Sequence, residues 1–217
     1  MQPICLTFDN GPEPDTTPLV LEVLARRGIG ATFFVVGRKL LDPVRRALAE
    51  RAVAEGHLVG NHSFSHGVPL GLRPGDDAVA EITRAEAVLG PLNSRLLFRP
   101  HGGGGALGPH LLHAAALRHL QQQRYTVALW NAVPRDWDDA DGWPARAMAM
   151  AAAAPAPIVM VLHDLLPEAM ARLDRVLGGL ADAGHRFIQD IPANGLALRE
   201  GLLMCEAATI SREEDAP

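Results

Sequence analysis

The chain has 217 residues, the size of one ordinary to large domain or of a (β/α) barrel with short helices. Hydrophobic residues make up 48% and charged residues 21%, the balance of a globular protein with a core of its own. The formal net charge is −5 and the Lys and Arg residues are scattered, which argues against nucleic acid as a partner.

The opening "MQPICLTFD" has neither the charged start nor the apolar stretch of a secretory leader, so the expected location is the cytoplasm. Pro3 to Phe8 is a short buried strand containing Cys5. The second cysteine, Cys205, lies at the far end of the chain, so a disulfide framework is not expected. "TPLVLEVLARRG" predicts a helix with Thr17 as N-cap, Pro18 in the first turn and Gly28 just past the end. "ATFFVVG" is a second strand, its unbroken apolar run typical of parallel strands covered on both faces. "DPVRRALAERAVAEGH" is a helix opened by Asp42-Pro43 and closed by Gly56; "LVGNHS" is a strand and "GDDAVAEITRAEAVLG" an amphipathic helix.

"RLLFRP" is a strand that runs into the glycine-rich loop "HGGGG". "GPHLLHAAALRHLQQQ" predicts a helix on which His110, His113 and His119 face solvent. The strand "YTVALWN", a helix from Asp141 through "DGWPARAMAMAAAA", the strand "PIVMVLHD", the helix "PEAMARLDRVLGGLADAG" and the strand "HRFIQD" complete the alternation. The most apolar stretch, "AMAMAAAAPAPIVMVL", is interrupted by Pro155 and Pro157, so no membrane span is expected. About seven strand–helix units without a linker predict an α/β fold with parallel strands. The expected domain is single, with a core over roughly residues 3–190 and a frayed polar tail, "EAATISREEDAP".

Chemistry in such folds collects at the carboxyl ends of the strands. The polar residues found there are Asp9-Asn10, Asn61-His62, Arg99-Pro100-His101, Asn131 with Asp136-Trp137, and His163-Asp164. Asp9 and Asn10 are turn formers before Gly11-Pro12, or a site's oxygen donors. His62 and His66, four apart in "NHSFSH", are two surface histidines or two ligands converging on one ion. An oxygen donor beside them would complete a facial metal site with open positions. Arg99 is a surface residue before a flexible turn, or it pairs with a carboxylate beside a backbone that a ligand approaches closely. The four glycines lack a following Lys-Ser or Lys-Thr, which disfavours a phosphate-binding loop. His163, leaving a buried strand, is a capping residue or a general acid or base.

In combination, "TFDNGP", "NHSFSH", "FRPHGG", "RDW" and "VLHD" resemble the polysaccharide deacetylases, the NodB-homology or carbohydrate esterase family 4 domain, over roughly residues 3–190. The resemblance implies a distorted (β/α) barrel, often of seven strands, and metal-dependent hydrolysis of N-acetyl groups on amino sugars. Asp9 then matches the catalytic base and Arg99 the residue that orients it. Asn10, His62 and His66 match the ligands of a divalent ion, expected to be Zn²⁺. His163 matches the general acid, Asp136 its carboxylate partner, Trp137 the aromatic wall of the acetate pocket and Leu162 its apolar floor. Two departures stand out: the third ligand is Asn10 rather than Asp, and Gly102 replaces an aromatic whose backbone N–H helps bind the oxyanion. The implied partner is an N-acetylated saccharide or a small amide, and the outer helices allow a homodimer. A metal-independent hydrolase of linear or cyclic amides and a catalytically impaired saccharide-binding domain are the competing expectations.

Overall fold

The structure is a computed structural model that describes residues 2–212. Along the chain run β1 (Pro3–Asp9), α1 (Thr17–Arg27), β2 (Thr32–Val35), α2 (Pro43–Ala54), β3 (Leu58–Asn61), α3 (Gly75–Leu89), β4 (Leu97–Phe98), β5 (Leu112–His113) and α4 (Ala114–Gln122). There follow β6 (Thr126–Ala128), α5 (Trp143–Ala153), β7 (Ile158–His163), α6 (Pro167–Met170), α7 (Leu173–Asp182), β8 (Arg186–Ile188), β9 (Leu196–Arg199), β10 (Leu202–Leu203) and β11 (Ser211–Arg212).

Strands β6, β4, β3, β2, β1 and β7 lie side by side in that order, each parallel to its neighbour. The sheet curls until the segment after β6 reaches β7: the N–H of Ala132 donates to the Val159 carbonyl at 3.2 Å, and that of Val161 to the Ala132 carbonyl at 2.9 Å. This is the expected α/β architecture, a distorted half-barrel of parallel strands. Strand β8 adds to the amino-terminal half of β1 on the edge that β2 occupies further up, and β9 and β10 extend the sheet antiparallel beyond β6.

The pleat decides what each strand presents to the barrel axis. On β1, Ile4, Leu6 and Phe8 join the core beneath the helices, whereas Thr7 and Asp9 meet the buried Arg99 inside. On β7, Ile158, Met160 and Leu162 pack in the same helix-side core, whereas Val159 and Val161 join the second core with Phe98 and Val127. A fully buried Leu or Phe contributes about 1.5–3 kcal/mol of transfer free energy, so both faces of these strands are committed.

Several local expectations meet corrections. The N-cap position of α1 is Thr16, which makes no side-chain cap bond, and not Thr17, whose hydroxyl accepts from the Glu13 N–H and donates to Asp164. Gly28 does end the helix, at φ 63°. Asp42 caps α2 by accepting from the Val44 N–H, as its position predicts. Helix α5 starts at Trp143, and Asp139 rather than Asp141 binds the approaching backbone N–H groups. The helix expected from Gly108 starts only at Ala114, because residues 109–111 form a 3₁₀ turn and β5 follows. His113 is therefore buried, its ring accepting from the Ala115 N–H, rather than solvated. The predicted last long helix is split into α6 and α7.

The expected frayed tail is in fact packed as far as Arg212. Ile210 and Ser211 are buried, and β11 pairs parallel with β5. The tail's remaining residues, 213–217, lie outside the described residues. No helix among the described residues is long and apolar enough to cross a membrane.

Candidate active site

A cavity of about 310 Å³ opens at the carboxyl ends of the strands, and Asp9, Asn10, His62, His66, His101 and His163 face into it. Asp9 ends β1 and is held from below. Its Oδ1 accepts from Arg99 Nη1 at 2.9 Å, and the same nitrogen donates to Thr7 Oγ1 at 2.6 Å. Arg99 is fully buried, with Nη2 donating to the Leu129 carbonyl at 3.2 Å and its plane 4.2 Å above the Phe34 ring. A cation this deep needs a carboxylate beside it, and breaking such a pair by removing one partner costs on the order of 3–5 kcal/mol. Asp9 is thus fixed in place by the fold itself.

His62 follows β3. Its Nδ1–H donates to the Arg99 carbonyl at 2.8 Å, which fixes the tautomer and turns Nε2 toward Asp9 Oδ2 at 3.7 Å. His66 lies on the turn after it, with ring centroids 5.0 Å apart. Serine side chains shape this turn: Ser63 accepts from the His66 N–H at 3.2 Å, and both the N–H and the hydroxyl of Ser65 donate to the buried Glu81. Burial, then the neighbouring imidazoles, push His62 well below the ordinary 6.5 and His66 down to about 4. Both rings are neutral at physiological pH.

Asn10 completes this side. Its backbone is left-handed at φ 76°, its N–H donates to the Phe34 carbonyl and its carbonyl accepts from Lys39 Nζ at 2.7 Å. The buried side-chain Oδ1 has no hydrogen-bond partner. Two neutral imidazoles and an orphaned amide oxygen in one pocket fit a divalent ion, the amide being a weaker donor than a carboxylate. Among the described residues no group of three or more His, Cys, Asp or Glu could hold a metal ion.

Across the cavity stands His163, at the end of β7. Its Nδ1–H donates to Asp136 Oδ1 at 3.0 Å, and its backbone N–H donates to Asp136 Oδ2 at 2.7 Å. Burial pushes the imidazole down, but the hydrogen bond and charge of Asp136, with Asp9 and Asp164, outweigh it and raise His163 above 6.5. Trp137 meets the His163 ring edge-on at 4.4 Å.

Gly102 lines the cavity at φ 118°, and a Cβ there would lie 2.6 Å from Pro69. Leu162 does not line it. Val161, two residues before His163, and Leu165 face the cavity instead, while Leu162 points to the helices. Asn61 and Asn131 also stay outside, tied to backbone groups around Ile82 and Ser63, and around Pro157 and Val159. Sequence reasoning assigned no role to His101 or Trp130. His101 stacks on His66 with centroids 4.4 Å apart, and Trp130 donates to the Gly105 carbonyl at 2.8 Å. The place of His101 directly after the strand "RLLFRP" was the available signal, whereas Trp130 lay inside the predicted strand "YTVALWN".

The polysaccharide deacetylase family model matches residues 1–106. The chain is 33% identical over 207 residues to a chitooligosaccharide deacetylase of Sinorhizobium fredii, covering 88% of this chain and 91% of that protein. It is 29% identical over 194 residues to a peptidoglycan-N-acetylglucosamine deacetylase of Bacillus cereus, covering 85% and 84%. The structure of a carbohydrate esterase family 4 enzyme from Streptococcus mutans superimposes with a TM-score of 0.72 at 30% identity, covering 86% of this chain and 84% of that one. The chain belongs to the polysaccharide deacetylase family.

Proposed function

We propose that this protein hydrolyses the N-acetyl amide of an amino-sugar oligomer or polymer, assisted by a divalent ion, Zn²⁺ being the expected one. The observation that carries the reading is the pairing of two differently supported proton carriers across one cavity: Asp9 on Arg99, and His163 on Asp136. His62, His66 and Asn10 would hold the ion, which when bound supplies Lewis acidity toward the acyl oxygen.

Asp9 takes a proton from the attacking water as its oxygen bonds to the acyl carbon. Arg99 keeps Asp9 aimed without competing for that proton, since guanidinium does not titrate in this range. The Gly102 N–H is the donor assigned to the oxyanion. His163, protonated through Asp136, gives its Nε2 proton to the leaving nitrogen as the carbon–nitrogen bond breaks. The products are acetate and the free amine.

Acetate release from N-acetylglucosamine oligomers and from peptidoglycan fragments, with and without chelator, tests this reading. Activity lost on chelation, restored by added metal and abolished by Asp9→Asn supports it. Unimpaired acetate release in metal-free protein overturns the metal assignment. The neutral Asn10 donor favours a second reading, a metal-independent amide hydrolase, which that outcome together with turnover of a cyclic amide would support.

A further inference from the structure

Of the histidines that line the cavity, His62 and His163 are oriented through their second ring nitrogen. His62 Nδ1–H donates to the Arg99 carbonyl at 2.8 Å, and His163 Nδ1–H donates to Asp136 at 3.0 Å. A histidine that ligates an ion normally has such a partner to hold its ring in line. Among the described residues, the ring of His66 has no hydrogen bond to another residue and meets only its own main chain. It stands on a turn, its backbone left-handed at φ 50°, and its side-chain torsions have to be fixed by something else.

The face of His101 is placed to do this. The two rings stack with centroids 4.4 Å apart and planes 30° apart. His101 is buried and tethered at both edges. Its Nε2 lies 3.2 Å from the Gly67 carbonyl, which can only accept, so Nε2 carries the proton. Nδ1 then accepts from the Ser63 hydroxyl at 3.4 Å, and the same hydroxyl accepts from the His66 N–H at 3.2 Å. His101 thus grips the turn on both sides of His66, at Ser63 and at Gly67, and lays its ring face on the side chain between them. Its own place is set by the end of β4, where the Arg99 N–H donates to the Asn61 carbonyl at 2.9 Å. Rings stacked in this way point their in-plane lone pairs past one another, and both His101 nitrogens are engaged, so His101 is not a further ligand.

We infer that His101 is a positioning residue whose ring face, by stacking, aims His66 at the ion. The inference rests on the metal-assisted reading above and adds to it a residue that acts through His66. The contact is made by a ring face and not by a particular nitrogen. A flat ring of similar size should therefore serve in its place, whereas a polar side chain without a ring should not.

Zinc binding to the metal-free protein, followed by calorimetry, tests this without recourse to turnover. His101→Gln keeps a polar side chain and removes the ring, and zinc should bind about five- to tenfold more weakly, within the range an aromatic pair contributes. His101→Phe restores a ring face and gives up both hydrogen bonds, and its affinity should stay within about threefold of the wild type. Cobalt(II) in place of zinc reports the ligand geometry: the visible absorption bands should match the wild type in His101→Phe and shift in His101→Gln. A partly unfolded sample lowers the binding stoichiometry rather than the affinity of the folded fraction. A His101→Gln variant that matches the wild type in both measurements overturns the inference. So does a His101→Phe variant as weak as His101→Gln, which would assign the effect to the nitrogens of His101 and not to its face. Wild-type protein that binds neither ion overturns the metal reading itself, and this inference with it.

Discussion

The cavity has two sides built from the same side chain in opposite electrostatic settings. On one, His163 donates its ring Nδ1–H and its backbone N–H to Asp136, and the imidazole is raised above 6.5. On the other, His62 and His66 lack a bonded carboxylate, are buried against each other and His101, and are pushed down. Burial acts on all three in the same direction, so the bonded partner decides the outcome. A histidine tied to a carboxylate keeps a proton to give, and one tied to a backbone carbonyl keeps a lone pair to donate. Environments that push like groups apart are a sign of divided acid–base and ligand roles.

Removing the charges that create this contrast should have the largest effects. Asp9→Asn deletes the base and leaves Arg99 buried without its carboxylate. We expect a loss of about 10³–10⁴ in kcat and a lower melting temperature, measured by acetate release and thermal unfolding. Asp136→Asn converts His163 toward the His62 type. A group with a raised folded value stabilises the fold below its unfolded value near 6.5 and loses that contribution as pH rises through the folded value. Activity that depends on protonated His163 should likewise fall on the alkaline side. In Asp136→Asn the alkaline limb should move to lower pH, with kcat at pH 7 down by about 10²-fold. An alkaline limb that stays in place would assign the titration to another group.

The side with the carboxylates was more legible in the sequence than the apolar walls around it. Asp9, Arg99, Asp136 and His163 stand at strand ends or in the loops between, where polar residues after an apolar run need a reason. The facing of β7 was not legible, because "IVMVLH" is apolar on both faces and hydrophobicity does not mark the inner one. Counting by two from His163 gives Val161 and Val159, the faces the structure displays, and removes Leu162 from the cavity. The final strands were missed for a related reason. β9 to β11 are two to four residues long, and β9 and β11 pair with β6 and β5, far away in sequence, so local pattern carries little of their signal. His101 was hidden by its neighbours: four glycines made the loop read as flexible, although its ring is buried and stacked.

Asn10→Asp sharpens the contrast from the opposite direction, by adding a carboxylate to the side that lacks one. Two unit charges about 4 Å apart at an effective dielectric of 20 interact by about 4 kcal/mol, and a divalent ion doubles that, much of which is lost to desolvating the new carboxylate. We expect zinc affinity to tighten by at least about tenfold, read by calorimetry on the metal-free protein. His66, pushed down to about 4 by burial, should titrate at higher pH in the metal-free variant, followed by NMR. Unchanged affinity would mean that residue 10 does not reach the ion.

The smallest catalytic effect should come from Leu162→Ala, which separates the two faces of β7. Leu162 is fully buried among the helix-side residues, so truncation leaves a cavity in the core and should cost about 2–5 kcal/mol of stability. Its side chain does not reach the active-site cavity, and below the melting transition kcat/KM should change by less than about twofold. Val161→Ala should show the reverse balance: a smaller loss of stability, about 1–2 kcal/mol for two methyl groups, and a larger change in KM because the floor itself retreats. Denaturant midpoints and kinetics on both variants decide the matter. If Leu162→Ala alters KM as much as Val161→Ala does, the strand does not divide its work between its faces, and the pleat has not determined which residues meet the substrate.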